Sequence, residues 1–140
     1  MGSSCSNANS KKGFHLNIEN ETQKNTDYRR TLYTSKYSQL VVMALQPKVE
    51  IGMEVHEDHD QFFRFESGTG KVIINDETYT VKDGDCIIVP AGAKHNVINE
   101  SDKEVLKLYT IYSPPEHKDG TIHKTKQDER EEHFDGKTSE

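Results

Sequence analysis

The chain has 140 residues and a formal net charge of −6, with 30% charged and 31% hydrophobic residues. This length suffices for one domain with one core, and the acidic balance argues against nucleic-acid binding, which needs clustered lysine and arginine. No apolar run is long enough for a membrane span, and no apolar stretch follows the N-terminus as in a secretory signal. We therefore expect a cytoplasmic protein that binds a small molecule.

Residues 1–27 are a polar tail and lead-in, and apolar residues become frequent only from Tyr28 onwards. From there, short β-prone segments alternate with turn signals at a spacing typical of an all-β sandwich or barrel. Cys86 lies within the apolar run of one such segment and is expected to be buried. Residues 28–115 are expected to form one antiparallel β-barrel, with strands over 30–34, 39–46, 61–66, 71–75, 78–81, 86–89, 95–99 and 104–112.

After Pro114 and Pro115 the sequence is rich in charged residues and poor in large apolar ones. Residues 116–140 are therefore expected to form a charged C-terminal tail. Residues 127–133 have some helix propensity, so that a short helix and disorder are both compatible with them. The segment 113–124, which contains His117 and His123, has two interpretations. It is either a lid across the opening of the barrel or a solvated exit segment.

One constellation of residues indicates a family. Gly84 opens a strand, Pro90 and Gly92 form a turn, and His95 and Asn99 follow on one face of the next strand. These residue types at this spacing match the second signature of the cupin family, which the chain resembles over about residues 40–113. The resemblance implies a single antiparallel barrel of the jelly-roll type, also called a double-stranded β-helix.

The first cupin signature is present with its spacing kept and three residue types changed. Lys48 stands in place of the opening glycine, Glu54 in place of the first histidine and Gln61 in place of the glutamate. By this resemblance, four side chains hold one divalent metal ion: Glu54, His56, Gln61 and His95.

The ligand types agree with this assignment. Glu54 and His56 are two residues apart on an extended chain and therefore project to the same face. A carboxylate, two imidazoles and an amide oxygen form a mixed site that suits Zn, Mn, Fe, Co or Ni. A second assignment pairs His56 with His59, but a spacing of three points these side chains to opposite faces. His59 is therefore expected beside the metal, at the mouth of the barrel. In a further alternative, these polar residues are ordinary surface groups.

Alternation along the strands predicts which other side chains surround the site. Phe63 and Phe65 share the face of Gln61, and Tyr112 faces inward on the last strand. Together with His59 they are the candidates for lining a substrate. Phe62 and Arg64 lie on the opposite face, where we expect a homodimer contact.

We expect a metal-dependent enzyme that acts on a small polar metabolite. Isomerisation of a sugar or sugar phosphate and dioxygenation are both compatible with the fold. A non-catalytic module that binds or senses a small ligand is the alternative.

The first six residues fit the pattern for N-myristoylation on Gly2, and Cys5 could accept a palmitoyl chain. A single acyl chain binds membranes weakly, so both signals are needed for a stable anchor. In a eukaryotic host, we therefore expect membrane association through Gly2 and Cys5.

Overall fold

The computed structural model describes residues 10–140, so the lipidation candidates Gly2 and Cys5 lie outside the described residues. A short helix, α1 (Ile18–Lys24), precedes the strands. The strands in chain order are β1 (Arg29–Thr34), β2 (Gln39–Leu45), β3 (Glu54–Val55), β4 (Asp60–Ser67), β5 (Thr69–Ile74), β6 (Glu77–Lys82), β7 (Cys86–Val89), β8 (Lys94–Ile98), β9 (Leu106–Ser113) and β10 (Ile122–His123).

The strands form two antiparallel sheets. A six-stranded sheet has the order β10-β1-β2-β9-β4-β7, and a four-stranded sheet has the order β3-β8-β5-β6. Every pairing between these strands is antiparallel. The predicted all-β jelly roll is confirmed, and the predicted strands all appear with small shifts at their ends.

The core lies between the two sheets and follows the alternation of the strands. In β9, Leu106, Leu108, Thr110 and Tyr112 are buried while the residues between them are partly exposed. Phe63 and Phe65 of β4 are also buried, with 1% and 0% of their surface accessible. The inward-facing residues of β4 and β9 are thus the ones that alternation predicts.

The prediction that Cys86 is buried is wrong. In β7 only Ile87 and Val89 face the core, whereas Cys86 is exposed and Ile88 is 63% exposed. β7 is an edge strand with one covered face, so an unbroken apolar run still sends every second side chain outward.

Helix α1 falls in a stretch whose sequence gives no clear helical pattern. Its N-terminus is capped by Asn17, whose side chain accepts a hydrogen bond from the backbone N–H of Asn20. The helix lies near strands of the six-stranded sheet and buries only Thr22. With so small a buried face, the helix has no apolar periodicity that could reveal it.

After β9, the chain doubles back along the molecule. We call residues 113–134 the C-terminal strap. Its strand β10 pairs with β1, and the backbone N–H groups of Tyr28 and Thr31 donate to carbonyls of the strap. In place of an α-helix near residue 127, the strap has one 3-10 turn at Lys126–Asp128. No helix within residues 10–140 is long and apolar enough to cross a membrane.

Candidate metal centre

The pairing of β3 with β8 brings the first three predicted ligands together. Glu54 lies directly opposite His95 in this antiparallel pair, so both side chains project to the same face. His56 follows two residues after Glu54 and joins them. One ligand atom from each of Glu54, His56 and His95 lies within 4.8 Å of the others, the spacing that a single metal ion requires.

The segment that leads into β3 is held in place by β8. The backbone N–H of Ile51 donates to the carbonyl of Val97 at 2.9 Å, and that of Gly52 donates to Asn96 Oδ1 at 2.8 Å. These bonds fix the chain just before Glu54. The two-residue strand therefore has a defined register despite its length.

Glu54 lies between the two imidazoles. Its Oε1 is 3.2 Å from His56 Nε2 and 3.9 Å from His95 Nε2. Burial by itself would lower the pKa of His56, but the hydrogen bond and negative charge of Glu54 raise it above the usual value. Burial dominates at His95 and lowers its pKa. The two imidazoles thus differ in how readily each takes up a proton.

His95 has a lone pair directed toward this cluster. Its Nδ1–H donates to the carbonyl of Ala93 at 3.1 Å, which leaves Nε2 as the unprotonated nitrogen. Nε2 is buried and has no hydrogen-bond partner among residues 10–140. An unpaired buried acceptor costs about 1–3 kcal/mol, and a metal ion would satisfy it. The residues present therefore fit a metal ion.

Gln61 provides a second buried acceptor without a partner. Its side chain is buried, Nε2 donates to Thr110 Oγ1 at 3.0 Å, and Oε1 has no partner within the described part of the chain. Gln61 lies opposite Tyr112 in the β4–β9 pair, and the ring of Tyr112 is 5.9 Å from that of His56. Gln61 therefore shares the inner face on which the cluster lies.

His59 is bound to other groups. Its Nε2 is 2.8 Å from Glu116 Oε1, and its Nδ1 is 2.8 Å from the carbonyl of Pro114. Both partners only accept hydrogen bonds, so both ring nitrogens of His59 must carry hydrogen to satisfy them. In this arrangement, His59 has no free lone pair for a metal.

The aromatic candidates lie at different distances from the cluster. The ring of Phe63 is 6.4 Å from that of His95, and Phe65 stacks on Phe63. The ring of Tyr112 forms T-shaped pairs with the rings of both His56 and His59. Burial raises the pKa of the Tyr112 hydroxyl, which therefore stays protonated at neutral pH.

A cavity of about 550 Å³ lies beside the cluster, and much of its wall comes from the strap. Glu54 and His56 line it together with Arg29 of β1 and strap residues that include Glu116, His117 and 129–133. Sequence analysis did not identify Arg29, Glu116 or Glu129 as residues of the site. No local motif marks them, because they meet only where the strap folds back along β1 and β2.

Comparisons with known proteins agree with this fold. The family described as "Cupin domain" matches residues 41–112. An uncharacterized protein of Acanthamoeba polyphaga mimivirus is 43% identical over 118 residues, which are 82% of this chain and 74% of that protein. An uncharacterized protein of Bacillus subtilis is 42% identical over 84% of this chain and 66% of its own length, just under two thirds.

Among solved structures, a protein from Bacillus halodurans superposes with a TM-score of 0.81 at 40% identity. The match covers 85% of this chain and 94% of that one, so it extends well beyond the strands of the two signatures. Fold, cluster and sequence likeness therefore agree, and the chain belongs to the cupin family.

Proposed function

We propose that this protein is a metal-dependent enzyme that acts on a small polar metabolite. The observation that carries the proposal is the buried, unpartnered Nε2 of His95 in a cluster with Glu54 and His56. Glu54, His56 and His95 would hold one divalent ion, with Gln61 Oε1 as the fourth ligand. Bound there, such an ion would polarise a carbonyl or hydroxyl oxygen of the substrate.

The groups around the cluster favour proton transfer over dioxygenation. Glu116 Oε1 is 2.8 Å from His59 Nε2, and its Oε2 is 3.2 Å from His133 Nδ1. Carboxylate and imidazole groups can give and take protons at a substrate, as the isomerisation of an aldose to a ketose requires.

Individual residues around the site have separate roles in this proposal. Glu116 and His59 hold or deliver a proton at the mouth, and Phe63 provides an apolar wall beside His95. The strap covers one side of the cavity and so limits the access of water to the reacting atoms.

A turnover screen of metal-replete protein tests the proposal. We expect an isomerisation product with one member of a panel of aldoses, ketoses and their phosphates, and no product with His95→Ala. A matched His15→Ala variant, which changes an exposed histidine near the start of the chain and far in sequence from His95, should retain activity.

Two other outcomes would contradict the proposal. Oxygen consumption on a catechol-like substrate would indicate a dioxygenase. A thermal upshift with a ligand that is never converted would indicate a non-catalytic binding module.

A further inference from the structure

We infer that the cavity selects a ligand without net negative charge, so that its substrate is an unphosphorylated sugar or an amine rather than a phosphate ester. This inference rests on the proposed function, whose site it describes more closely. It follows from the charges that line the cavity and from how each of them is paired.

Carboxylates outnumber cations around this cavity. Its cationic side chains within residues 10–140 are Arg29 and Arg130. Five glutamates face them across the same space: Glu54, Glu116, Glu129, Glu131 and Glu132. The exposed rim of the cavity, which holds Arg130, Glu131 and Glu132, carries one more negative than positive charge.

Arg29 is not available to bind an anion. Only 2% of its surface is accessible, and its Nη1 donates to Glu129 Oε2 at 2.9 Å. Its Nε has no partner among the described residues, but it is buried too deeply for a ligand to reach. The nearby His117 adds no positive charge, because burial and the charge of Arg29 lower its pKa to about 2.

Two glutamates at the rim are placed to repel anions. Glu131 and Glu132 are exposed at the rim, where they face a ligand as it enters. Glu116 lies deeper, with 12% of its side chain accessible, and its charge is offset by His59, whose Nε2 is 2.8 Å from Oε1. A phosphate ester would bring about two negative charges past these carboxylates. Repulsion of this kind acts on entry and binding, and salt weakens it.

The first test uses cobalt-loaded full-length protein and two small probes that bind metals, azide and imidazole. The visible spectrum of cobalt reports the binding of each probe. We expect the affinity for azide to rise as sodium perchlorate screens the repulsion, while the affinity for neutral imidazole stays constant.

A pair of double variants locates the charges responsible. Glu131→Gln with Glu132→Gln should tighten azide binding about fivefold at low salt and leave imidazole binding unchanged. Glu77→Gln with Glu104→Gln, which makes the same change in net charge at exposed sites outside the cavity lining, should change neither. Azide binding that responds to neither salt nor the rim variant would overturn the inference.

Substrate-like probes give the second test. Glucose should raise the melting temperature of the loaded protein more than glucose 6-phosphate does, and the opposite order would refute the inference. A lack of bound cobalt would instead refute the proposed function.

The rim charge can also be measured without metal. Cationic and anionic nitroxides of the same size should relax the amide protons of 131–133 unequally, the cationic one more strongly. Equal relaxation there would count against the inference.

Discussion

At the residue scale, the second cupin signature predicts the positions of His95 and Asn99 because its residues act locally. His95 lies where the spacing places it, and Asn99 fixes the end of the same segment by donating to the carbonyls of Leu45 and Glu104. Lys48 has a backbone φ of 69°, a left-handed conformation that glycine adopts more easily. Lys48 thus adopts a conformation that favours glycine, at the position where the signature usually has glycine.

Gln61 allows a prediction at this scale. Gln61→Leu removes Oε1, the unpartnered acceptor, at nearly constant volume. Metal affinity should fall by roughly tenfold. The unfolding free energy of the metal-free protein should fall by about 1 kcal/mol, because the substitution also removes the hydrogen bond from Nε2 to Thr110 Oγ1. Calorimetric metal titration and denaturant unfolding measure the two quantities. Unchanged metal affinity would exclude Gln61 as a ligand.

At the element scale, the strands could be predicted and the strap could not. Strand β9, and β4 as far as Phe65, alternate between buried and partly exposed side chains, which local sequence reveals. The strap instead depends on contacts between residues far apart in the chain. Arg29 meets Glu129 one hundred residues later, and no pattern near either residue indicates the pair.

Gln39 anchors the strap. Its buried side chain accepts hydrogen bonds from the backbone N–H groups of Glu116 and His117 and donates to the carbonyl of His117. Gln39→Ala leaves these groups unpaired and should cost about 2–3 kcal/mol of unfolding free energy.

Hydrogen exchange tests the same variant locally. Amides of residues 115–124 should exchange faster in Gln39→Ala than in wild type, whereas Gln46→Ala, at an exposed glutamine just after β2, should change neither exchange nor stability. Wild-type exchange rates in Gln39→Ala would show that other contacts hold the strap.

At the scale of the whole molecule, the fold sets how stability responds to pH. The homodimer expected at Phe62 and Arg64 stays a prediction at this scale, and sedimentation would test it.

Burial and the charge of Arg29 lower the pKa of His117 to about 2, with smaller contributions from His123, His56 and His133.

The pH dependence follows from the sign of that shift. Above about pH 6.5, His117 is neutral in both the folded and unfolded states, so its protonation does not lower the free energy of unfolding there. Below that pH the unfolded chain takes up a proton that the folded protein excludes, so stability is lost as the pH falls toward 2.

Denaturant unfolding at two pH values measures this effect. Between pH 6.5 and 5, wild type should lose about 1.5 kcal/mol more than His117→Gln. His15→Gln, at an exposed histidine, should behave as wild type. An equal loss in wild type and His117→Gln would mean that His117 titrates normally in the folded protein.

The metal content of purified protein tests the central claim most directly. Elemental analysis should find one divalent ion per chain in wild type and in His59→Ala, whose ring nitrogens are both bound to other acceptors. His95→Ala, with its circular dichroism spectrum unchanged, should contain almost none. Equal metal content in wild type and His95→Ala would contradict the account.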